Sequence, residues 1–156
     1  MTLSMGRVVE QTYNFCRHYL REVVQYRENS LDSPKGGFSI VSIGSYTGSK
    51  CGDERVAEVC PSFPWTIGTD MCDWQCTANH GLVGMTKALA LEYAQKDVRV
   101  NVLCPGPLEE QSASSFFRPA PHVSSEIPMR RQGQPEEIAN AVAFLLGSES
   151  SFITVC

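Results

Sequence analysis

The stretch that decides the fold runs from His80 to Pro107 and reads HGLVGMTKALALEYAQKDVRVNVLCPGP. In its first half the apolar residues recur with the 3.6-residue period of a helix. These residues are Leu82, Met85, Leu89 and Tyr93. A second apolar row lies roughly opposite and consists of Val83, Ala90 and Ala94. The stretch therefore predicts a helix that is covered on both sides.

The second half of the stretch predicts a strand. Residues 98–103, VRVNVL, are mostly apolar and rich in β-branched side chains. Pro105-Gly106-Pro107 ends the strand, because proline has no N–H to donate to a ladder. A helix that leads into a short apolar strand and a Gly/Pro turn is half of a parallel βαβ unit.

Further elements are predicted on both sides of this unit. A helical stripe of apolar residues predicts a helix from about residue 5 to residue 26. Residues 38–43 are typical of a buried strand that ends at Gly44-Ser45. Pro135 at a first helical position and Gly147 after the last apolar repeat predict another helix between them.

Two long segments, 46–79 and 108–133, show no sustained period, and we predict that they are irregular. The 156 residues are enough for one domain with a sizeable core. We therefore expect a single α/β domain over residues 1–156.

Composition narrows the possible partners and the compartment. Hydrophobic residues make up 42% and charged residues 19% of the chain, as in ordinary globular domains. The net charge of −4 and the lack of a basic run argue against nucleic acid and membrane as partners. No apolar run approaches the roughly 20 residues of a membrane span. No signal-peptide pattern opens the sequence, so we expect a cytoplasmic protein whose seven cysteines are thiols.

Four blocks of the sequence resemble the C-terminal half of a short-chain dehydrogenase/reductase. They are SIVSIGS, HGLVGMTKALALEYA, VRVNVLCPGP and IPMRRQGQPEEIANAVAFLLGSESSFIT, in the family's order within residues 7–154. The resemblance implies a truncated Rossmann-like, doubly wound α/β fold with few parallel strands and about three main helices. In the family, the equivalents of the first and second helices form a dimer interface. We therefore expect a homodimer, or a partner that completes the sheet.

The resemblance also identifies the positions that carry the family's hydride transfer from NAD(P). A tyrosine acts there as general acid/base, a lysine four residues later lowers its pKa, and a serine binds the substrate oxygen. Ser45 matches the serine, but Gln75 stands at the tyrosine position and Asn79 at the lysine position. Glutamine exchanges no proton near neutral pH, and asparagine carries no charge. The family's TGxxxGxG turn is also absent from these residues, so we expect no cofactor and loss of the family's activity.

The remaining reactive side chains leave other chemistries open. Ser45, His80 and Asp73 contain the ingredients of a catalytic triad, although in this family a histidine commonly occupies the position of His80. Glu110, with Glu109, could supply an acid/base pair after the Gly/Pro turn if a pocket raises one pKa. The alternative is a solvated pair of loop carboxylates.

The cysteines give a weak signal for metal. Cys51, Cys60, Cys72 and Cys76 precede His80, but no C-x2-C pair occurs among them. We therefore predict small buried thiols and no metal site.

Three classes of function remain open. The leading hypothesis is a degenerate, non-redox pseudoenzyme or partner subunit. The alternative is a cofactor-independent enzyme, such as an isomerase, cyclase or lyase, that reuses the family pocket for a small molecule. The third class is an oxidoreductase whose nucleotide-binding half comes from another chain, and the missing tyrosine and lysine count against it.

Overall fold

The computed structural model describes residues 2–29, 37–45, 70–109 and 127–154. The helices are α1 (Thr2–Asn29), α2 (Asp70–Tyr93) and α3 (Pro135–Leu146), and the strands are β1 (Phe38–Ile43) and β2 (Val98–Leu103). Short 3-10 turns follow α2 at Ala94–Lys96 and α3 at Ser148–Ser150.

The two strands form a parallel sheet, with α2 as the connection between them. Their register runs from Phe38 opposite Val98 to Ile43 opposite Leu103, so both strands end at the same edge. Backbone bonds continue the ladder past both ends, from Phe38 N to Asp97 O at 3.1 Å and from Gly44 N to Leu103 O at 2.9 Å. The predicted βαβ unit and α/β class are confirmed.

The core lies between the sheet and the two long helices. Its buried members are Cys16, Leu20, Val23, Leu89, Ala90, Tyr93, Val98 and Val100. The stripe predicted for the first helix supplies three of them. On α2 the buried residues fall on one face, whereas Ala94 is exposed. Ala90 of the second apolar row is buried together with Leu89 and Tyr93 of the first, so both rows contribute to the core.

The third helix packs on the opposite face of the sheet. Ser39 Oγ donates to Leu145 O at 2.9 Å, and Arg99 Nη1 donates to the same carbonyl at 2.8 Å. Because side chains alternate along a strand, these residues face α3 while Val98 and Val100 face α1 and α2. The result is a three-layer arrangement with helices on both faces of the sheet.

The second helix begins at Asp70, well before the start that the apolar repeat predicts at His80. Residues 70–79 were expected to belong to an irregular segment, yet they are helical. Residues 70–79 lack an apolar period, and for that reason the sequence pattern did not predict their helix.

Candidate functional site

The carboxyl ends of the two strands meet side chains of α2. A methyl group on Gly44 would lie 3.4 Å from Asn79 Oδ1, 3.3 Å from Leu82 Cδ2 and 3.5 Å from Cys104 Sγ. These groups therefore close around Gly44, directly beside Ser45. In doubly wound α/β folds, ligands bind outside the carboxyl ends of the strands. We call this group, Gly44, Ser45, Asn79, Leu82 and Cys104, the carboxyl-edge site.

The polar groups of the carboxyl-edge site are neutral at physiological pH. Ser45 and Asn79 are half-buried and offer a hydroxyl and an amide, both of which can donate and accept hydrogen bonds. Burial raises the pKa of the Cys104 thiol, which keeps this group protonated. The three groups can orient a ligand oxygen or nitrogen through hydrogen bonds, but they offer it no charge.

The structure places the predicted triad residues on two elements. Ser45 follows β1, and His80 is exposed on α2 one position after Asn79. Asp73 precedes His80 by seven residues on the same helix, which corresponds to about 10.5 Å along the axis. The side chain of Asp73 and all of Glu110 lie outside the described part of the structure. The catalytic roles of these four residues stay predictions.

Glu109 belongs to a polar cluster that joins the chain after β2 to the start of α3. Leu108 and Gly133 form an isolated parallel bridge, in which Glu109 N donates to Gly133 O at 2.8 Å. Gln134 Nε2 donates to Glu109 Oε2 at 2.5 Å. The carboxylate of Glu109 thus binds the residue that precedes α3.

An ion pair completes this cluster at the start of α3. Arg131 binds both carboxylate oxygens of Glu137 at 2.7 Å, and Gln134 N donates to Glu137 Oε2 at 2.8 Å. The bonds from Arg131 and from the Gln134 backbone lower the pKa of Glu137 to about 2. We call Glu109, Arg131, Gln134 and Glu137 the loop-base cluster. These bonds fix the start of α3 at Pro135.

The sequence did not point to Arg99 or Cys104 as important. Arg99 is buried within β2 and binds the end of α3, and an arginine within an otherwise apolar strand was an available signal for such a contact. A cysteine before a Pro-Gly turn gives no comparable signal. Its place beside Gly44 emerges only when the ends of the two strands come together.

Neither a metal cluster nor a membrane-spanning helix occurs in the described part of the chain. Within residues 2–29, 37–45, 70–109 and 127–154, no three metal-binding side chains of the His, Cys, Asp or Glu type come together. Cys51 and Cys60, which precede the helical cysteines in the sequence, lie outside these ranges. None of the helices in the same ranges combines the length and the apolar character that a membrane crossing requires.

Comparison with known proteins agrees with this architecture. Residues 61–155 match the family profile described as enoyl-(acyl carrier protein) reductase. The chain is similar to cyclohexanol dehydrogenase of Acinetobacter sp. (strain SE19), with 43% identity over 88 residues that cover 56% of this chain and 34% of that protein. It is also similar to the 3-oxoacyl-[acyl-carrier-protein] reductase of Rickettsia bellii (strain RML369-C), with 40% identity over 51% of this chain and 33% of that protein.

Solved structures share the fold. NAD+-bound xylitol dehydrogenase superposes with a TM-score of 0.70 over 99% of this chain and 58% of its own, at 21% identity. The 3-oxoacyl-[acyl-carrier protein] reductase from Brucella melitensis ATCC 23457 gives a TM-score of 0.53 over 75% of this chain and 38% of its own, at 27% identity. The chain spans about a third of the length of the curated relatives named above. A family profile that covers more than half of the residues, together with this shared fold, shows that the chain belongs to the short-chain dehydrogenase/reductase family.

Proposed function

We propose that this chain is a non-redox member of its family, a pseudoenzyme or partner subunit that acts through protein contacts. The observation that carries the proposal is the amide of Asn79. It lies beside Gly44 and Ser45 at the carboxyl-edge site, at the position where the family resemblance requires a lysine. An amide supplies no positive charge to lower a neighbouring pKa or to hold a cofactor ribose.

The neighbouring position explains why hydride transfer is not expected. Reduction of a carbonyl places negative charge on its oxygen, and a general acid must supply a proton there. Gln75, at the tyrosine position, has no proton to exchange near neutral pH. General acid–base catalysis is typically worth about 10²–10⁴-fold in rate. The residues present therefore do not fit NAD(P)-dependent oxidoreduction, even though Ser45 could still bind an oxygen.

Calorimetric titration with NADH and with NADPH tests this proposal directly. We expect no micromolar affinity, and no carbonyl-dependent oxidation of either nucleotide above the background rate. Asn79→Ala serves as the matched variant and should give the same background. Micromolar binding together with turnover that depends on Asn79 would overturn the non-redox assignment.

A cofactor-independent enzyme is the second candidate. It is favoured by the position of Asn79 Oδ1 and Cys104 Sγ near Gly44, the residue next to Ser45, at the carboxyl edge of the sheet. Such a site could orient a small molecule for isomerisation, cyclisation or elimination, with His80 or Glu110 transferring a proton. Ser45→Ala, His80→Ala and Glu110→Gln should then each lower turnover of a candidate substrate without added cofactor. Equal activity in all three folded variants would exclude this use of the site.

The protein partner that we propose is a second copy of this chain. A groove of about 770 Å³ runs between α1 and α2. Its lining is largely apolar and consists of Val9, Glu10, Tyr13, Arg17, Met85, Ala88, Leu89, Glu92 and Tyr93. A homodimer would bury this surface. A partner that adds a strand to β1 is the alternative.

Light scattering tests the choice of partner. The parent chain should be a dimer or larger, and Ala88→Arg should shift it to monomer, because Ala88 is exposed and lines the groove. A stable parent monomer would contradict the homodimer and favour the strand-adding partner.

A further inference from the structure

The outer edge of β1 presents backbone groups that point away from the sheet. Phe38 N donates to Asp97 O at 3.1 Å, and Gly44 N donates to Leu103 O at 2.9 Å. Because successive residues of a strand alternate in direction, Ser39, Val41 and Ile43 turn their N–H and C=O groups away from β2. Among the described residues, none forms a backbone hydrogen bond with these outward groups.

The cover of the two strands differs in the same sense. The outward N–H of Val100 on β2 donates to Thr154 Oγ1 at 3.1 Å, and the first four residues of β2 are buried. By contrast, β1 is half-buried along most of its length, and Ile43 is 58% exposed. Its sequence, FSIVSI, has neither the charge nor the proline by which proteins commonly block an open edge. The edge of β1 is therefore able to pair with a further strand.

The helix α1 carries an aromatic row on the same side of the molecule. The row consists of Phe15, Tyr19 and Tyr26. At about 100° per residue, it lies to one side of the buried Cys16 and Leu20, whereas the groove-lining Arg17 lies to the other side, toward α2. Since α2 packs on β2, the side of α1 away from α2 is the side of the open β1 edge.

Much of this aromatic row is uncovered in the described structure. Phe15 is 71% exposed and Tyr26 is 53% exposed. The Tyr26 ring meets the Phe38 ring edge to face, with 6.4 Å between the centroids, so the row begins at the first residue of β1. A strand added to β1 would bring every second side chain toward this row.

We propose that the edge of β1 binds an extended, uncharged segment of a partner protein, which adds a strand to the sheet and packs alternate apolar side chains on the aromatic row. In strand addition, main-chain hydrogen bonds supply affinity and alternate side chains supply specificity. Neither β1 nor the row has a charged side chain, so an apolar segment is the complementary one. This inference rests on the contact-making, non-redox role proposed above but not on the homodimer.

A second copy of β1 does not fit this place. Antiparallel pairing of two β1 strands about a two-fold axis puts both α1 helices on the same face of the sheet. Packed helices need about 8–10 Å between their axes, whereas adjacent strands lie only about 4.8 Å apart. The two helices would compete for the space above the paired strands, so the occupant is a segment that has no helix on that face.

Residue-resolved amide exchange, measured by NMR, tests the proposal with a synthetic peptide that alternates threonine and valine. In the free protein the outward amides of Ser39, Val41 and Ile43 should exchange faster than those of Ile40 and Ser42, which bond to β2. Saturating peptide should slow exchange of the outward amides roughly tenfold or more, and the other two should change less.

Two methylated forms of the peptide are matched probes that leave the protein unaltered. Methyl groups on alternate backbone nitrogens lie either on the edge that pairs with β1 or on the opposite edge. One form should lose binding, because the methyl group replaces the donor and fills the space of the bond. The other form should bind like the unmodified peptide.

Variants of the protein test the two parts of the surface separately. Val41→Pro removes the central outward N–H without removing a bond to β2, and it should abolish binding, whereas Val41→Thr keeps the N–H and should bind like the parent. Phe15→Ala should raise the Kd of the peptide roughly fivefold or more through lost apolar contact. Leu91→Ala is the control, because Leu91 is 72% exposed on α2, and it should leave the Kd unchanged.

The outcomes separate this inference from the non-redox role. Slow exchange of the outward amides in the free protein would show that the edge is already occupied and would overturn the proposal. Equal affinity of the two methylated peptides, binding that survives Val41→Pro, or no binding of the unmodified peptide at millimolar concentration would overturn it as well. Micromolar binding of NADPH would refute the non-redox role, whatever the exchange of the β1 amides.

Discussion

A single buried guanidinium joins α3 to the sheet. Arg99 Nη1 donates to Leu145 O and to Ser150 Oγ at 2.8 Å, and Nη2 donates to Gly147 O at 3.0 Å. The last carbonyls of a helix have no partner within the helix, and a cation at that end also complements the helix dipole. Arg99 therefore caps α3 from the neighbouring strand.

Removing this side chain should destabilise the protein. We expect Arg99→Met to lower the free energy of unfolding by about 1–3 kcal/mol, because the half-buried carbonyls at the end of α3 lose the charged donor and keep only the hydroxyls of Ser39 and Ser150. Urea denaturation followed by far-ultraviolet circular dichroism measures the change. Arg21→Met, on the exposed surface of α1, is the control and should stay within about 0.5 kcal/mol of the parent. Equal losses in the two variants would contradict the cap.

The pKa of Glu137 predicts a dependence of stability on acid. Its bonds to Arg131 and to the Gln134 backbone lower the pKa of the folded state from 4.5 to about 2. A lowered folded pKa stabilises the protein above the unfolded pKa, and this contribution is lost as the pH falls from about 4.5 towards 2. Glu137→Gln should flatten the fall in unfolding free energy over that range. Glu136→Gln, one position earlier, is the control and should keep the parent's dependence of unfolding free energy on pH. If Glu137→Gln and the parent lose unfolding free energy in parallel between pH 4.5 and 2, Glu137 is not the source of this dependence.

The entry of the chain into β1 depends on a glycine. Gly37 has a φ of +71°, and a Cβ there would lie 2.3 Å from Asp97 O, the carbonyl that precedes β2. Arg27 at the end of α1 binds the same turn through Asp97 Oδ2 at 2.9 Å. The beginnings of both strands and the end of α1 thus meet where only a residue without a side chain fits.

Gly37→Ala should therefore be costly. We expect a loss of about 2 kcal/mol or more in unfolding free energy, from the left-handed backbone and the contact with the Asp97 carbonyl. Chemical denaturation measures it, with Gly106→Ala as control. A methyl group at Gly106 meets nothing within 4 Å, so that variant should change little. If the Gly37→Ala variant has the same free energy of unfolding as the parent, the backbone before β1 must adjust to accommodate the added methyl group.

The elements could be predicted from sequence to different extents. Both strands and α3 have the predicted bounds, because β-branched runs, prolines and glycines mark their ends. The start of α2 could not be predicted from apolar period, since residues 70–79 lack one. Leu91 belongs to neither of the two apolar rows of the helix, and it is 72% exposed.

The whole molecule has both faces of its sheet covered by helices, as the family resemblance implied. The candidate site was foreseen only in part. Ser45 and Asn79 were identified by position, whereas the contact of Asn79 and Cys104 with Gly44 depends on where two strand ends and a helix meet. These residues are far apart in the sequence, so no local sequence pattern predicts that they lie close together.

The seven cysteines give a prediction for the molecule as a whole. All seven should react with a thiol reagent under denaturant, and elemental analysis should find no zinc. In the native protein Cys16 should react slowly, because burial raises the pKa of its thiol and the side chain is 2% exposed. Cys16→Ser is the control and should remove one slow thiol. A stoichiometric metal, or fewer than seven thiols, would contradict this prediction.

The bridge between Leu108 and Gly133 has a consequence for how this protein can diversify. It closes the intervening chain at its base, so α3 is anchored by the bridge and by the loop-base cluster. The entropic cost of closing a flexible loop grows only with the logarithm of its length, about 0.6 kcal/mol for each doubling. A change in the number of residues between positions 109 and 133 should therefore cost little stability, and α3 should keep its place because the bridge anchors it.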